Sequence, residues 1–188
     1  SLGAMPVYRF GTDAQRAELL PDLLAGRALA GFGLTEPEAG SDAGATRTTA
    51  RLDGDEWVID GAKQFITNSG TAITRFVTVT AVTGTREGRK EISTIIVPAG
   101  TAGFTVGAPY DKVGWHASDT HPLTFDGVRV SAENLVGERG VIVHFAVDRR
   151  VLQDGTEHGC RVEIAERVTG LDREAQRLGA GFDDGDGL

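Results

Sequence analysis

Residues 75–97 read RFVTVTAVTGTREGRKEISTIIV, two runs rich in Val, Ile, Thr and Phe separated by glycine and charge. β-Branched and aromatic side chains suit a pleated, half-buried surface, and the segment 84–90 has the composition of a hairpin connection. Two antiparallel strands are predicted, over 75–82 and 91–97. The same composition recurs over 46–52, 57–60 and 122–130, and Asp53-Gly54-Asp55 supplies a second hairpin turn. The expected fold is mainly β, an antiparallel β-barrel or sandwich. It occupies residues 29–140, between a short N-terminal helical segment and an irregular or partly helical tail.

Composition agrees with that frame. The chain has 188 residues, 40% hydrophobic and 24% charged, which suits one globular domain and excludes wholesale disorder. Its 26 glycines against 6 prolines, with no Gly-X-Y period, point to many tight turns. A net charge of −8 argues against a reader of nucleic-acid backbone. Cys160 is the sole cysteine, so no disulfide forms within the chain. No run approaches the roughly 20 apolar residues of a membrane span, and no basic-then-apolar leader opens the sequence, so a cytoplasmic protein is expected.

Outside the β-region the pattern changes. Thr12 and Gln15 stand three apart as a capping box, and Leu19, Leu20, Leu23 and Leu24 form an apolar stripe that Pro21 is expected to interrupt. Residues 1–28 therefore read as the end of a helical region. Residues 141–188 carry many charges and no sustained apolar stripe. A short helix over 171–178 is expected there, followed by a glycine- and aspartate-rich end with the composition of disorder.

Several chemistries drop out. Gly31-Phe32-Gly33 opens like a dinucleotide fingerprint, yet Glu36 stands at the third glycine and no parallel βαβ unit surrounds it. His116 and His121 lack the neighbouring Cys or His of a zinc site, so no metal is expected. Ser41, in Gly40-Ser41-Asp42, lacks the flanking glycines of a nucleophile elbow.

Three segments remain. Residues 33–42, GLTEPEAGSD, leave a strand for a loop in which Gly40 permits close backbone approach and Ser41 offers a hydroxyl and an N–H. Read alone it favours a plain Pro-Glu turn followed by a capping Ser or Asp, and Glu36, Glu38 and Asp42 would repel a diphosphate unless they face solvent or cationic partners. In residues 62–70, AKQFITNSG, Phe65 and Thr67 share one face of an extended chain, a ring beside a hydroxyl; taken singly, Phe65 reads as core. In residues 111–120, DKVGWHASDT, the cluster His116, Ser118, Asp119 and Thr120 is either a capped turn or a pocket mouth. The strand after it has a turn at Asp126-Gly127.

In this order and at these separations, the three segments resemble the central β-domain of the acyl-CoA dehydrogenase family. Leu34-Thr35-Glu36-Pro37 with Gly40-Ser41-Asp42 is similar to that family's first signature, and Ile66-Thr67-Asn68, with Gly70 close behind, to its flavin-side loop. Gly114, Ser118-Asp119-Thr120, Phe125, Val128 and Glu133-Asn134-Leu135 resemble the strand pair that closes the domain. The likeness spans about residues 11–140.

The resemblance implies an FAD-dependent enzyme that oxidises the Cα–Cβ bond of an acyl-CoA thioester to an enoyl-CoA. Phe32, Leu34 and Thr35 would line the flavin ring, Thr35 bonding its pyrimidine edge, while Gly40 and Ser41 would meet the diphosphate. Phe65 would cover the ring, where the family commonly has Trp, and Thr67 would bond near N5. Ser41 would also lie near the acyl-CoA thioester arm. Neutral donors in such places stabilise the charge that develops as a flavin is reduced. An electron-transfer flavoprotein as acceptor and a homo-oligomeric assembly are further implied.

The departures are specific. His116 stands where many relatives carry Arg, and Ser131 where the family usually has Pro. The family's catalytic glutamate belongs to a C-terminal helical domain, so no catalytic residue is assigned, Glu157, Glu163 and Glu166 included. Because the likeness stops abruptly near Gly140, residues 141–188 are expected to be out of frame or unrelated, with a divergent terminus as the rival. The chain is thus expected to be a fragment inactive alone. The alternatives are a flavin-dependent oxygenase of the same fold, and a non-catalytic remnant or interaction module.

Overall fold

The computed structural model describes residues 2–141. The expectations for residues 142–188, including the helix over 171–178 and the lone Cys160, lie outside the described residues.

Two helices open the chain, α1 (Ala4–Phe10) and α2 (Asp13–Leu24). The predicted capping box starts α2: Thr12 Oγ1 accepts the Gln15 N–H at 3.1 Å and Gln15 Oε1 accepts the Thr12 N–H at 3.0 Å. The Gln15 side chain also donates to the carbonyls of Glu133 and Leu135, at 2.7 and 3.0 Å, and ties the helix to the far end of the β-region. Pro21 does not interrupt α2, which continues to Leu24 with the Ala25 N–H on the Pro21 carbonyl. Proline removes one ladder bond near the helix end. The packing of Leu20 with Val7, Phe76 and Ile96 offsets that loss.

Eight strands follow: β1 (Leu29–Gly33), β2 (Thr49–Asp53), β3 (Glu56–Thr67), β4 (Thr74–Arg86), β5 (Arg89–Pro98), β6 (Phe104–Val106), β7 (Thr120–Ser131) and β8 (Leu135–Val136). They form one sheet in the order β6-β7-β3-β2-β4-β5-β8, with β1 also paired to β4. The mainly β fold with a helical lead-in is as expected. The sheet does not close, so "barrel" is too strong. Nor is it purely antiparallel, since β1 and β2 both run parallel to β4; the chain returns to β4 by a long excursion rather than a tight turn.

Both predicted hairpins are present. Gly54 (φ 66°) turns β2 into β3, and Glu87-Gly88 (φ 51° and 76°) turns β4 into β5. Asp126-Gly127 is a bulge rather than a turn: β7 passes through it, and the Gly127 N–H donates to Asp60 Oδ1 at 2.7 Å. Gly127 has φ 59°, which glycine adopts without strain, so the strand bends and continues.

Alternation fixes the core. Val77, Val79 and Ala81 of β4 join Ile95, Val97, Ile59, Leu123 and Phe125 on one face. Phe76 and Ile96 point the other way, to Val7 and Leu20 of the helices. β4 is thus covered on both faces, as its nearly continuous apolar and threonine run requires.

Candidate functional site

The site lies where the sheet is interrupted. β1 follows β4 as far as Gly33↔Val79, and β2 rejoins it at Thr49↔Val82. In between, residues 34–48 leave the sheet and return to the same row. Such a gap strands backbone donors and acceptors, and buried ones need partners.

Lys63, on β3, fills the gap. Its side chain is fully buried, and Nζ donates to the Leu34 carbonyl (3.1 Å), Thr80 Oγ1 (3.1 Å) and Glu36 Oε1 (2.7 Å). The Glu36 carboxylate in turn accepts the backbone N–H groups of Arg47 (2.7 Å) and Thr48 (3.1 Å). Burial pushes the Lys63 ammonium down from 10.5 to about 8, against the hydrogen bond and charge of Glu36. For Glu36, burial works upward but is outweighed by bonds from Lys63, Arg47 and Thr48 and by the Lys63 charge, which hold the carboxyl below 4.5.

This answers the charge objection raised by the sequence. Glu36 turns inward onto Lys63, Glu38 pairs with Arg47, and Asp42 Oδ1 accepts the Gly44 N–H at 3.1 Å. Each acid of the loop has a positive or N–H partner within the protein. Of the three, only Glu36 is buried; Glu38 and Asp42 stay exposed with their partners, beside half-buried Leu34 and Thr35 and exposed Gly40 and Ser41. A Cβ built on Gly40 would meet no atom within 4 Å, so a ligand has open access to that backbone.

Two glycines bring β1 against β3. A Cβ on Gly31 would lie 3.2 Å from Ile66 Cγ2 and from the Thr67 carbonyl oxygen, and one on Gly33 would lie 3.3 Å from Lys63 Cγ. Phe32, Leu34 and Thr35 are thereby set beside the 63–67 segment. There β3 bulges: Lys63 pairs with Leu123 and Ile66 with His121, so Gln64 and Phe65 oppose only Pro122. Pro122 has no N–H to lose, and the freed Gln64 N–H donates to the Thr35 carbonyl at 2.8 Å. Phe65 takes φ 60° and is 59% exposed, its ring 4.9 Å from the ring of Tyr110. It is not core. Phe65 and Thr67 do both face outward, with buried Ile66 between them.

The 111–120 segment borders a cleft beside Phe65, lined by Tyr110, Lys112, His116, Ser118 and Thr120 among others. The segment is also a turn, closed by the Ser118 N–H on the Trp115 carbonyl at 2.9 Å, so the two readings of it coexist. Lys112 braces it, donating to the Ser118 carbonyl and, at 2.9 Å, to Thr120 Oγ1. Among the described residues no cluster of His, Cys, Asp or Glu could hold a metal ion, and no helix is long and apolar enough to cross a membrane.

Of the seven residues named from sequence, Phe32, Leu34, Thr35, Phe65 and Thr67 come together along the β1–β3 approach. Gly40 and Ser41 stand further out, beyond the two-residue turn closed by Glu36 and Ala39. Sequence reasoning missed Lys63, Gln64 and Tyr110. The demand of Glu36 for a cation was a usable signal for Lys63, but nothing in the spacing named the partner.

The acyl-CoA dehydrogenase middle domain matches residues 31–128. A probable acyl-CoA dehydrogenase of Bacillus subtilis is 52% identical over 139 residues, 73% of this chain and 36% of its own. The structure of butyryl-CoA dehydrogenase from Megasphaera elsdenii superposes with a TM-score of 0.69 at 43% identity, covering 74% of this chain and 36% of that one. An acyl-CoA dehydrogenase from Bacillus anthracis complexed with FAD gives a TM-score of 0.67 at 37% identity, covering 74% and 23%. The chain spans roughly two fifths or less of the length of these relatives. On the match over residues 31–128 and these likenesses, the chain belongs to the acyl-CoA dehydrogenase family.

Proposed function

We propose that residues 29–140 form the flavin-holding part of an FAD-dependent acyl-CoA dehydrogenase, which converts an acyl-CoA thioester to its enoyl-CoA. The observation that carries this reading is the loop 34–42, in which Glu36 is buried on Lys63, Glu38 and Asp42 each have a partner within the protein, and Thr35, Gly40 and Ser41 are accessible near an exposed aromatic ring. Those residues fit a flavin. Thr35 and Thr67 are uncharged donors for its polar edge, Phe65 is a ring face for stacking, and the Gly40-Ser41 backbone suits a diphosphate. When bound, the flavin supplies the hydride acceptor for oxidation of the Cα–Cβ bond.

The residues described here bind and orient. Leu34, Phe32 and Phe65 exclude water from the ring they cover, and the Ser41 hydroxyl borders the acyl-CoA thioester arm. The α-proton is removed by a base that is none of these residues. An electron-transfer flavoprotein as acceptor, a homo-oligomer and a cytoplasmic location belong to the same proposal for the whole protein.

Titration with FAD, followed by quenching of flavin fluorescence, tests it. Saturable binding is expected, weakened about tenfold or more in a Thr35→Ala, Ser41→Ala double variant, since two hydrogen bonds to the ligand are lost. Absence of binding by the parent chain contradicts the reading and favours the non-catalytic alternative.

A further inference from the structure

Resting on the flavin reading for its functional consequence, we propose that Lys63 is a positioning residue. Its buried ammonium, with Glu36, replaces the backbone pairing lost between β1 and β2 and thereby sets the conformation of the 34–42 loop. Between Val79 and Val82 of β4 the neighbouring row is empty of strand, and the groups exposed there are the Leu34 carbonyl and the N–H groups of Arg47 and Thr48. A strand would supply these partners in a regular ladder. Here one cation donates to the carbonyl and one carboxylate accepts from both amides, and the two are joined at 2.7 Å.

The geometry is closed on every side. Thr80 Oγ1, on β4, completes the ammonium's partners and also approaches the Gly33 carbonyl at 3.3 Å. Among the described residues no buried side-chain nitrogen or oxygen lacks a partner, so the pair is fully satisfied. Three elements are thus cross-linked at one nitrogen: β3 through Lys63 itself, β4 through Thr80, and the loop through Leu34 and Glu36. Thr35 lies between the last two, its own carbonyl held by the Gln64 N–H. With both neighbours and its carbonyl fixed, Thr35 has its outward direction set by the core beneath it. A positively charged or merely apolar residue at 36 would leave the Arg47 and Thr48 amides unpaired, and an apolar residue at 63 would leave an uncompensated buried carboxylate.

A buried ion pair is also a stability element, so the test has to separate the two roles. Removing both charges together, as Lys63→Met with Glu36→Gln, avoids a lone buried charge and is expected to keep the strand content and the thermal midpoint near those of the parent. Amide hydrogen exchange at Arg47, Thr48 and Gln64 is expected to quicken at least tenfold, while Ile59 and Val79 in the core stay protected. FAD affinity is expected to fall about tenfold. Unchanged exchange at those three amides, with FAD bound as tightly as before, overturns the proposal. If the parent itself fails to bind FAD, the flavin reading falls, and the exchange result still decides whether Lys63 positions the loop. Should the double variant not fold, the parent answers directly. Slowly exchanging Lys63 ammonium protons with cross-peaks to Thr80 and Glu36 at pH 6 support the proposal, and a solvent-exchanged, freely rotating lysine overturns it.

Discussion

Asp119 Oδ1 lies 2.6 Å from His121 Nε2, two residues along the same strand entry, while its other oxygen accepts the Gly70 N–H at 2.9 Å. The His121 ring reaches on to the Gly107 carbonyl at 2.7 Å through Nδ1, and the Asp119 carbonyl accepts the Asn68 N–H at 3.2 Å. One carboxylate therefore fastens the 67–70 turn, with Thr67 at its head, to the border of the cleft. Asp119→Ala is expected to destabilise the chain by about 1–3 kcal/mol, because it leaves a nitrogen of the buried His121 ring without its partner and releases the exposed Gly70 N–H to water. Gly70→Ala places a Cβ 2.3 Å from His121 Nε2 and is expected to cost a comparable amount. Urea unfolding of both singles and the double should show less than additive losses, since both break the same clamp.

Phe65 trades backbone comfort for an exposed ring. Its φ of 60° costs about 1–3 kcal/mol in a non-glycine residue, and its contact with Tyr110 returns about 0.5–1.5 kcal/mol. Phe65→Gly is expected to leave the thermal midpoint unchanged or higher while weakening FAD binding about tenfold. A variant that is both less stable and equally tight for FAD would mean the ring serves packing.

The buried pair gives stability a pH signature of known sign. Glu36 is held below 4.5 in the folded chain, so its contribution is complete above that value and is lost as pH falls through the lower folded one. Lys63 titrates near 8 folded and 10.5 unfolded, so between those values the unfolded chain holds the extra proton and stability rises with pH. Denaturant midpoints measured from pH 3 to 10 should flatten at both ends in the Lys63→Met, Glu36→Gln variant.

The Glu87-Gly88 hairpin is a site for a gain. Both residues have positive φ, which suits Asn-Gly far better than Glu-Gly, and Glu87 is exposed. Glu87→Asn is expected to raise stability by about 0.5–1 kcal/mol without touching FAD affinity; thermal unfolding with a parallel FAD titration checks both halves.

Much of this architecture is local and so was legible. The 75–97 stretch carries its strands in its composition and its turn in Glu87-Gly88, and Thr12 with Gln15 announces a helix start because a capping box involves residues three apart. What stayed hidden depends on distant partners. The parallel pairing of β1 with β4 joins residues more than forty apart, and the 64–65 bulge arises from Pro122 on another strand. For the same reason Phe65 reads as core in isolation and is exposed in the fold. Lys63 is the sharpest case: a lysine in a strand is ordinarily a solvated one, and only the interruption of the sheet makes a buried cation the group that fits.

If the loop 34–42 and the Phe65–Thr67 face together hold the flavin, amide chemical shifts recorded during an FAD titration will report it residue by residue. Saturable shifts are expected at Thr35, Gly40, Ser41 and Thr67, with Ala50 and Val130 undisturbed. Shifts confined to the cleft around Lys112 and His116, or none at all, would contradict it.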